Sequence, residues 1–265
     1  MIADKMKNMV ANSSAIRAMF EEGTRLAGIY GRENVFDFSL GNPNVPAPQI
    51  VKDAIVELVN DTDPVVLHGY TNSNSGYPEV REAIAKSLNE RFDTKFSGKN
   101  IVMTVGAAGG LNVILKSLIN PGDEAIWLTP GWVSYPSIVE ASGGIPVAVH
   151  LKYEENYRIT AEALEAAVSD KTKLLIINYP NNPTGQILTK ADIQALTVFL
   201  RKHPDIYVLS DEIYEKIVYD QKQIISLASI PEFFDRVVIV NGFSKCSAMT
   251  GWRLGYACGP REIIE

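Results

Sequence analysis

From residue 101 to residue 258 the sequence alternates short apolar, β-branched runs with helical stretches, and this alternation constrains the fold more than any other feature. The runs are 101–105 (IVMTV), 125–129 (AIWLT), 145–149 (IPVAV), 174–178 (LLIIN), 206–210 (IYVLS), 237–241 (VVIVN) and 254–258 (LGYAC). Most show no in/out alternation, as expected of strands covered on both faces. The pattern predicts an α/β fold, a seven-stranded and mostly parallel sheet flanked by helices. Upstream, Ile16, Met19, Phe20 and Leu26 recur at near-helical spacing and predict an amphipathic helix over 13–31. Phe36 to Leu40 reads as a short strand running into the turn Gly41-Asn42-Pro43. Helices are expected over 48–60 and 77–92, with Pro48 and Pro78 suited to their first turns. A polar loop of turn formers, Gly69 to Gly76, lies between them.

In open α/β sheets ligands bind outside the carboxyl ends of the strands, so the residues after each run carry the functional reading. Gly106-Ala107-Ala108-Gly109-Gly110 follows the first run and Pro130-Gly131-Trp132 the second. The fourth is followed by Pro180-Asn181-Asn182-Pro183-Thr184-Gly185, the fifth by Asp211-Glu212-Ile213-Tyr214 and the sixth by Gly242-Phe243-Ser244-Lys245. The glycine-rich turn can present backbone N–H groups to an anion, or it can serve tight packing alone. It is not a dinucleotide fingerprint, because the G-x-G-x-x-G spacing is missing, and no G-K-[ST] phosphate loop occurs. Trp132 can be a core residue or a stacking platform, and Asp211 can be a helix cap or a charge partner. Lys245 can be a solvated charge. Set between an apolar run and Cys246, Ser247 and Ala248, it can also be a half-buried amine of lowered pKa, as Schiff-base chemistry requires. Arg253 adds a second cation with no acid beside it in sequence, which suits an anionic ligand.

Composition narrows the partners. Lys+Arg 25 against Asp+Glu 31 leaves a net charge of −6, which argues against a nucleic-acid binder. The hydrophobic fraction of 46% with 21% charged residues excludes a disordered chain. Two cysteines (Cys246, Cys258) and three scattered histidines (His68, His150, His203) provide no metal-ligand spacing, so no metal is expected. The first residues hold no continuous apolar segment of signal-peptide type, and no run approaches the ~18–20 residues that span a bilayer. A soluble, cytoplasmic protein that does not engage membranes is the expectation.

Pro180 to Gly185, Ser210 to Tyr214, Phe243 to Lys245 and Met249 to Tyr256 together resemble the class I/II aminotransferases. Those are fold-type I enzymes dependent on pyridoxal 5′-phosphate. The likeness runs from the Leu40-Gly41-Asn42-Pro43 turn to Arg253, and its motifs are specific jointly through order, spacing and strand context. It implies Lys245 as the Schiff-base lysine and general base, Asp211 as the partner of the cofactor's pyridine nitrogen, and Tyr214 and Asn182 on its phenolate oxygen. It further implies Trp132 stacked on the ring, and the N–H groups of Ala107, Ala108 and Gly109, with Ser244 and Arg253, on the phosphate. A tyrosine matching Tyr70 reaches the neighbouring subunit's cofactor, which implies a homodimer. Gly41, with Trp132 and Asn182, would meet an amino acid or 2-oxo acid substrate, and the Asn182–Pro183 bond is expected to be cis.

The sequence also departs from the pattern. Ala107 and Ala108 stand where many members carry a hydroxyl, Gly242 replaces a serine, and the Tyr70 loop is somewhat longer. The resemblance assigns 1–44 to an N-terminal arm and part of a small domain, and 45–265 to the cofactor-binding large domain. The C-terminal small domain and its carboxylate-gripping arginine have no counterpart here, so the 265 residues alone are expected to transaminate poorly. A carbon–sulfur β-lyase on the same cofactor and a non-catalytic cofactor binder are the alternatives.

Overall fold

The computed structural model describes residues 2–11 and 15–265, so positions 13 and 14 of the expected first helix lie outside the described residues. The chain divides into two compact units, Met1–Asn44 and Val45–Glu265.

The first unit holds α1 (Asp4–Ala11) and α2 (Ala15–Tyr30), followed by a single 3₁₀ turn at Arg32–Asn34. The strand expected over Phe36 to Leu40 does not form. Asp37 Oδ1 instead accepts from the Ser39 backbone N–H at 2.8 Å and from the Ser39 hydroxyl at 2.6 Å. Such a local side-chain turn competes with ladder hydrogen bonds, and residues 35–44 have no paired strand.

In the second unit α3 (Gln49–Asp61) and α4 (Pro64–His68) come first. The short α4 was not foreseen. It is set by Pro64 at its first position and by Asp63, whose carboxylate accepts from the N–H groups of Val65 and Val66. Next come α5 (Pro78–Phe92), β1 (Ile101–Val105), α6 (Gly106–Leu118), β2 (Glu124–Thr129), α7 (Tyr135–Ala141), β3 (Ile145–His150) and α8 (Ala161–Glu165). The chain continues through β4 (Thr172–Asn178), α9 (Lys190–Lys202), β5 (Tyr207–Asp211), β6 (Val237–Gly242), β7 (Leu254–Cys258) and α10 (Arg261–Ile264). All seven expected strands are present, in the order β1-β7-β6-β5-β4-β2-β3. The pairs β2/β3, β2/β4, β4/β5 and β5/β6 are parallel, and only β7 runs against its neighbours β1 and β6. The sheet is therefore mixed, with one reversed strand.

The apolar runs follow from burial on both faces. On one face Ile177, Val208 and Ile239 pack with Leu88, Leu196 and Phe199 of α5 and α9. On the other, Ile176, Leu209 and Val240 pack with Leu111, Leu115 and Tyr135 of α6 and α7. β3 is a sheet edge, which is why it tolerates Pro146 and exposed positions. The carboxyl ends of β4 and β5 lie side by side, with Asn178 opposite Asp211 in register.

Candidate active site

The site is built where β4, β5 and β6 end. Asn178, the last residue of β4, donates through its side-chain nitrogen to the Asp211 carbonyl at 2.9 Å, and its oxygen accepts from the Asn182 N–H at 2.9 Å. One buried amide thus ties the 180–185 loop to the end of β5. Within that loop Asn181 Oδ1 accepts from the Thr184 N–H and hydroxyl at 3.0 and 2.7 Å, and the Asn182–Pro183 bond is cis. The Asn182 side chain then donates to the Tyr214 hydroxyl at 3.1 Å.

Asp211 is buried, and its Oδ2 accepts from the Tyr135 hydroxyl at 2.7 Å. Its Oδ1 accepts from the Ile213 N–H at 3.2 Å. Burial pushes its pKa up to about 6, while the Tyr135 and Ile213 donors hold it from rising further. Among the described residues Asp211 has no cationic partner. Burial likewise pushes the Tyr135 hydroxyl well above its usual range, and the neighbouring Asp211 charge adds to this.

Lys245 is half-buried, with Nζ 5.9 Å from the centre of the Tyr214 ring. Burial lowers its pKa first, and the Arg253 charge lowers it further. Ser244 beside it is buried. Trp132 meets Tyr135 edge to face, with ring centres 5.4 Å apart.

The start of α6 completes the group. Gly106 takes φ 69°, open to glycine, and a Cβ there would stand 2.6 Å from Nη2 of Arg253. The guanidinium therefore lies directly over the first turn of α6, whose Gly106, Ala107 and Ala108 leave their amides without intrahelical acceptors, while the Gly109 N–H is positioned to close the first helical turn on the Val105 carbonyl. β7 presses against the same turn from behind, since a Cβ on Gly255 would fall 2.5 Å from the Gly106 carbonyl carbon.

The structure thus brings together Lys245, Asp211, Tyr214, Asn182, Trp132 and, through Arg253, the opening turn of α6. Tyr70 is fully exposed, and Gly41 belongs to the first unit. Two residues were missed in sequence. Tyr135 had no signal beyond following Trp132 by three positions, and Asn178 was read only as the end of an apolar run. A cavity of about 410 Å³ lies elsewhere, lined by Val80, Arg91, Glu215, Asn241, Phe243 and Tyr256. Neither Asp211 nor Lys245 lines it.

The donor set can be tested against pyridoxal 5′-phosphate. A buried carboxylate without a cation fits a protonated ring nitrogen. A half-buried amine fits an aldehyde, and the Tyr214–Asn182 pair fits a ring oxygen. Amides without intrahelical acceptors at a helix N-terminus, beneath a guanidinium, fit a phosphate. The residues present fit the group.

Comparison with known proteins identifies the family. The family model for aminotransferase class I and II matches residues 33–265. An aspartate aminotransferase of Pyrococcus abyssi (strain GE5 / Orsay) is 38% identical over 257 residues, which are 97% of this chain and 63% of that protein. The crystal structure of an amino transferase from Eubacterium rectale matches with a TM-score of 0.89 and 36% identity, covering 100% of this chain and 68% of that one. Thermus thermophilus aspartate aminotransferase, solved with maleate, matches with a TM-score of 0.88 and 33% identity, over 100% of this chain and 66% of that one. The chain accordingly spans less than two thirds of the Pyrococcus protein's length.

Proposed function

Because this chain belongs to the class I and II aminotransferase family, we propose that it binds pyridoxal 5′-phosphate and serves the transfer of an amino group between an amino acid and a 2-oxo acid. One observation carries this reading: a buried carboxylate with no cationic partner among the described residues, Asp211, in one group with the half-buried amine of Lys245. When bound, the cofactor supplies a cationic ring that accepts electron density from the substrate's α-carbon. Every other task falls to the chain's own groups.

Asp211, ionised above about pH 6, holds the proton on the ring nitrogen. The Tyr135 hydroxyl orients that carboxylate and keeps it anionic. Tyr214 and Asn182, already bonded to one another, present a hydroxyl and an amide to the ring oxygen. The opening amides of α6, Ser244 and Arg253 take the phosphate, and they do so without side-chain hydroxyls at Ala107 and Ala108. Lys245, its pKa lowered, has a larger neutral fraction than an exposed lysine, so it would be the amine that meets the cofactor's aldehyde and, whenever it is free, the base that would hold the substrate's α-proton. Trp132 offers an aromatic face beside Tyr135.

Relatives named aspartate aminotransferase support an acidic amino acid as one substrate. The fully exposed ring of Tyr70 supports a homodimer in which that residue serves the neighbouring site.

The test is attachment. The purified chain mixed with the cofactor should develop a visible absorption band, and borohydride reduction followed by peptide mass mapping should find the adduct on Lys245. The Lys245→Ala variant should lose both. Retention of the band by that variant, or an adduct on another lysine alone, would refute the assignment.

A further inference from the structure

Successive residues of a strand face opposite ways, so the two sides of the β5 end can be read separately. Asp211 faces Tyr135 and the core under α6 and α7. Its neighbours Ser210 and Glu212 face the other side, toward α5. There Glu212 Oε1 accepts from the hydroxyls of Ser210 and Ser226 at 2.9 and 2.8 Å. One turn on, the buried carboxylate of Glu215 pairs with Nη1 of Arg91, from α5, at 2.6 Å. The backbone between them is tied as well. The Glu212 N–H reaches the Val240 carbonyl at 2.9 Å, the Glu215 N–H reaches the Glu212 carbonyl at 3.0 Å, and the Ile217 N–H reaches the Tyr214 carbonyl at 2.8 Å. The segment carrying Asp211 and Tyr214 into the candidate site is therefore held from behind by two acids it also carries.

A buried ion pair is a poor device for stability alone, because the desolvation of both charges consumes most of the attraction between them. An apolar pair of similar volume would hold α5 against the sheet about as well. What the pair adds is position: the Arg91 guanidinium, carried by α5, holds one Glu215 oxygen at 2.6 Å, and that anchors the turn on which Tyr214 sits. We propose that Arg91, Glu212 and Glu215 form a brace that positions the Tyr214 hydroxyl and the Asp211 carboxylate, so that α5, which carries none of the site's own groups, sets the geometry of cofactor binding. This inference rests on the function proposed above, and its three members are positioning residues.

The experiment compares wild type with Arg91→Met, Arg91→Lys, Tyr214→Phe and the double variant Arg91→Met/Tyr214→Phe. Cofactor affinity and the pH midpoint of the visible band are read for each, and amide hydrogen exchange of residues 211–217 is read without cofactor. Arg91→Met should weaken cofactor binding roughly tenfold, the low end of what loss of an outer-shell partner costs at a metal site. It should move the band's midpoint in the same direction as Tyr214→Phe and speed exchange over 211–217 while leaving β1 unchanged. Arg91→Lys should recover part of both effects. Added to Tyr214→Phe, Arg91→Met should shift the midpoint by less than it does alone, because part of its effect runs through that hydroxyl.

A folded Arg91→Met chain with wild-type affinity, midpoint and exchange overturns the brace, and so does full additivity in the double variant. If Arg91→Met does not fold, Glu215→Gln, which keeps shape and removes the charge, takes its place in the same comparisons. Failure of wild type to bind the cofactor would instead sink the proposed function. In that case the exchange of 211–217 in the Arg91 variants still decides the brace.

Discussion

The hydroxyl of Tyr135 and the carboxylate of Asp211, 76 residues apart, meet at 2.7 Å in the interior. Two opposed effects act on that carboxylate. Burial raises its pKa to about 6, and the tyrosine donor lowers it. Below about pH 6 Asp211 takes a proton and no longer offers an anionic acceptor to the N–H of a cationic ring, so cofactor affinity should fall in acid. Tyr135→Phe removes the donor and leaves the burial, so the acid limb should move to higher pH, by on the order of one unit. Titrating the dissociation constant of pyridoxal 5′-phosphate between pH 5 and 8 in both proteins reads this directly. Coincident limbs would mean that the tyrosine does not govern the acid.

Glu212 gives a stability prediction of opposite use. Burial pushes its pKa up to about 8, with the Glu215 charge adding and the two serine hydroxyls opposing. Between its ordinary value of 4.5 and about 8, the folded chain keeps a proton that the unfolded chain has lost. Folding stability from this group is therefore fully present below pH 4.5 and declines as pH rises through that window, by up to about 1.4 kcal/mol per unit. Glu212→Gln keeps the acceptor oxygen that both serines use and cannot ionise. It should match wild type near pH 5 and exceed it at pH 8, by roughly 4 kcal/mol at most. Urea unfolding at the two pH values measures the difference, and equal gaps at both would show that Glu212 does not titrate with folding.

Much of this arrangement was legible in the sequence because the sheet is covered on both faces. Runs such as LLIIN and VVIVN have no polar side, which marks them as strands without knowledge of their partners. The turns after them could then be placed at one edge of the sheet, and Asn182, Asp211, Tyr214 and Lys245 do lie in one group. What stayed hidden is whatever depends on contact between distant segments. Nothing in Tyr135 marks it as the partner of Asp211, and nothing in Arg91 marks it as the partner of Glu215. The misread strand at Phe36 to Leu40 has the converse cause. Its alternation is local, and a strand needs a neighbour to pair with, whereas Asp37 found a nearer partner in Ser39.

The seat of α6 on β7 leaves no room for a side chain at 255. A Cβ on Gly255 would stand 2.5 Å from the Gly106 carbonyl carbon and 2.8 Å from the Ala107 nitrogen, and both contacts are backbone, which cannot rotate away. Gly255→Ala should cost about 1–3 kcal/mol, as overpacking commonly does. It should also weaken cofactor binding, because the displaced amides are those aimed at the phosphate. Gly251→Ala, where a Cβ meets nothing within 4 Å, is the matched control and should leave both properties unchanged. Denaturant midpoints and cofactor titrations of the two variants separate the outcomes, and equal behaviour would mean that α6 can shift without penalty.

Asn178 joins two strand ends through one side chain, giving to the Asp211 carbonyl and taking from the Asn182 N–H, each at 2.9 Å. Asn178→Ala strands both backbone groups, and each costs about 1–3 kcal/mol if water cannot replace the partner. Asn178→Asp separates the two bonds. An ionised aspartate still accepts from the Asn182 N–H but can no longer donate to the Asp211 carbonyl, and it places a second carboxylate near Asp211. The aspartate variant should therefore bind the cofactor less tightly than wild type and show an acid limb shifted to higher pH, since a like charge nearby raises the Asp211 pKa further. The alanine variant should lose affinity without that shift. Measuring affinity against pH for the pair distinguishes the electrostatic effect from the loss of the tie, and a limb unmoved in both would place Asn178 outside the electrostatics of the site.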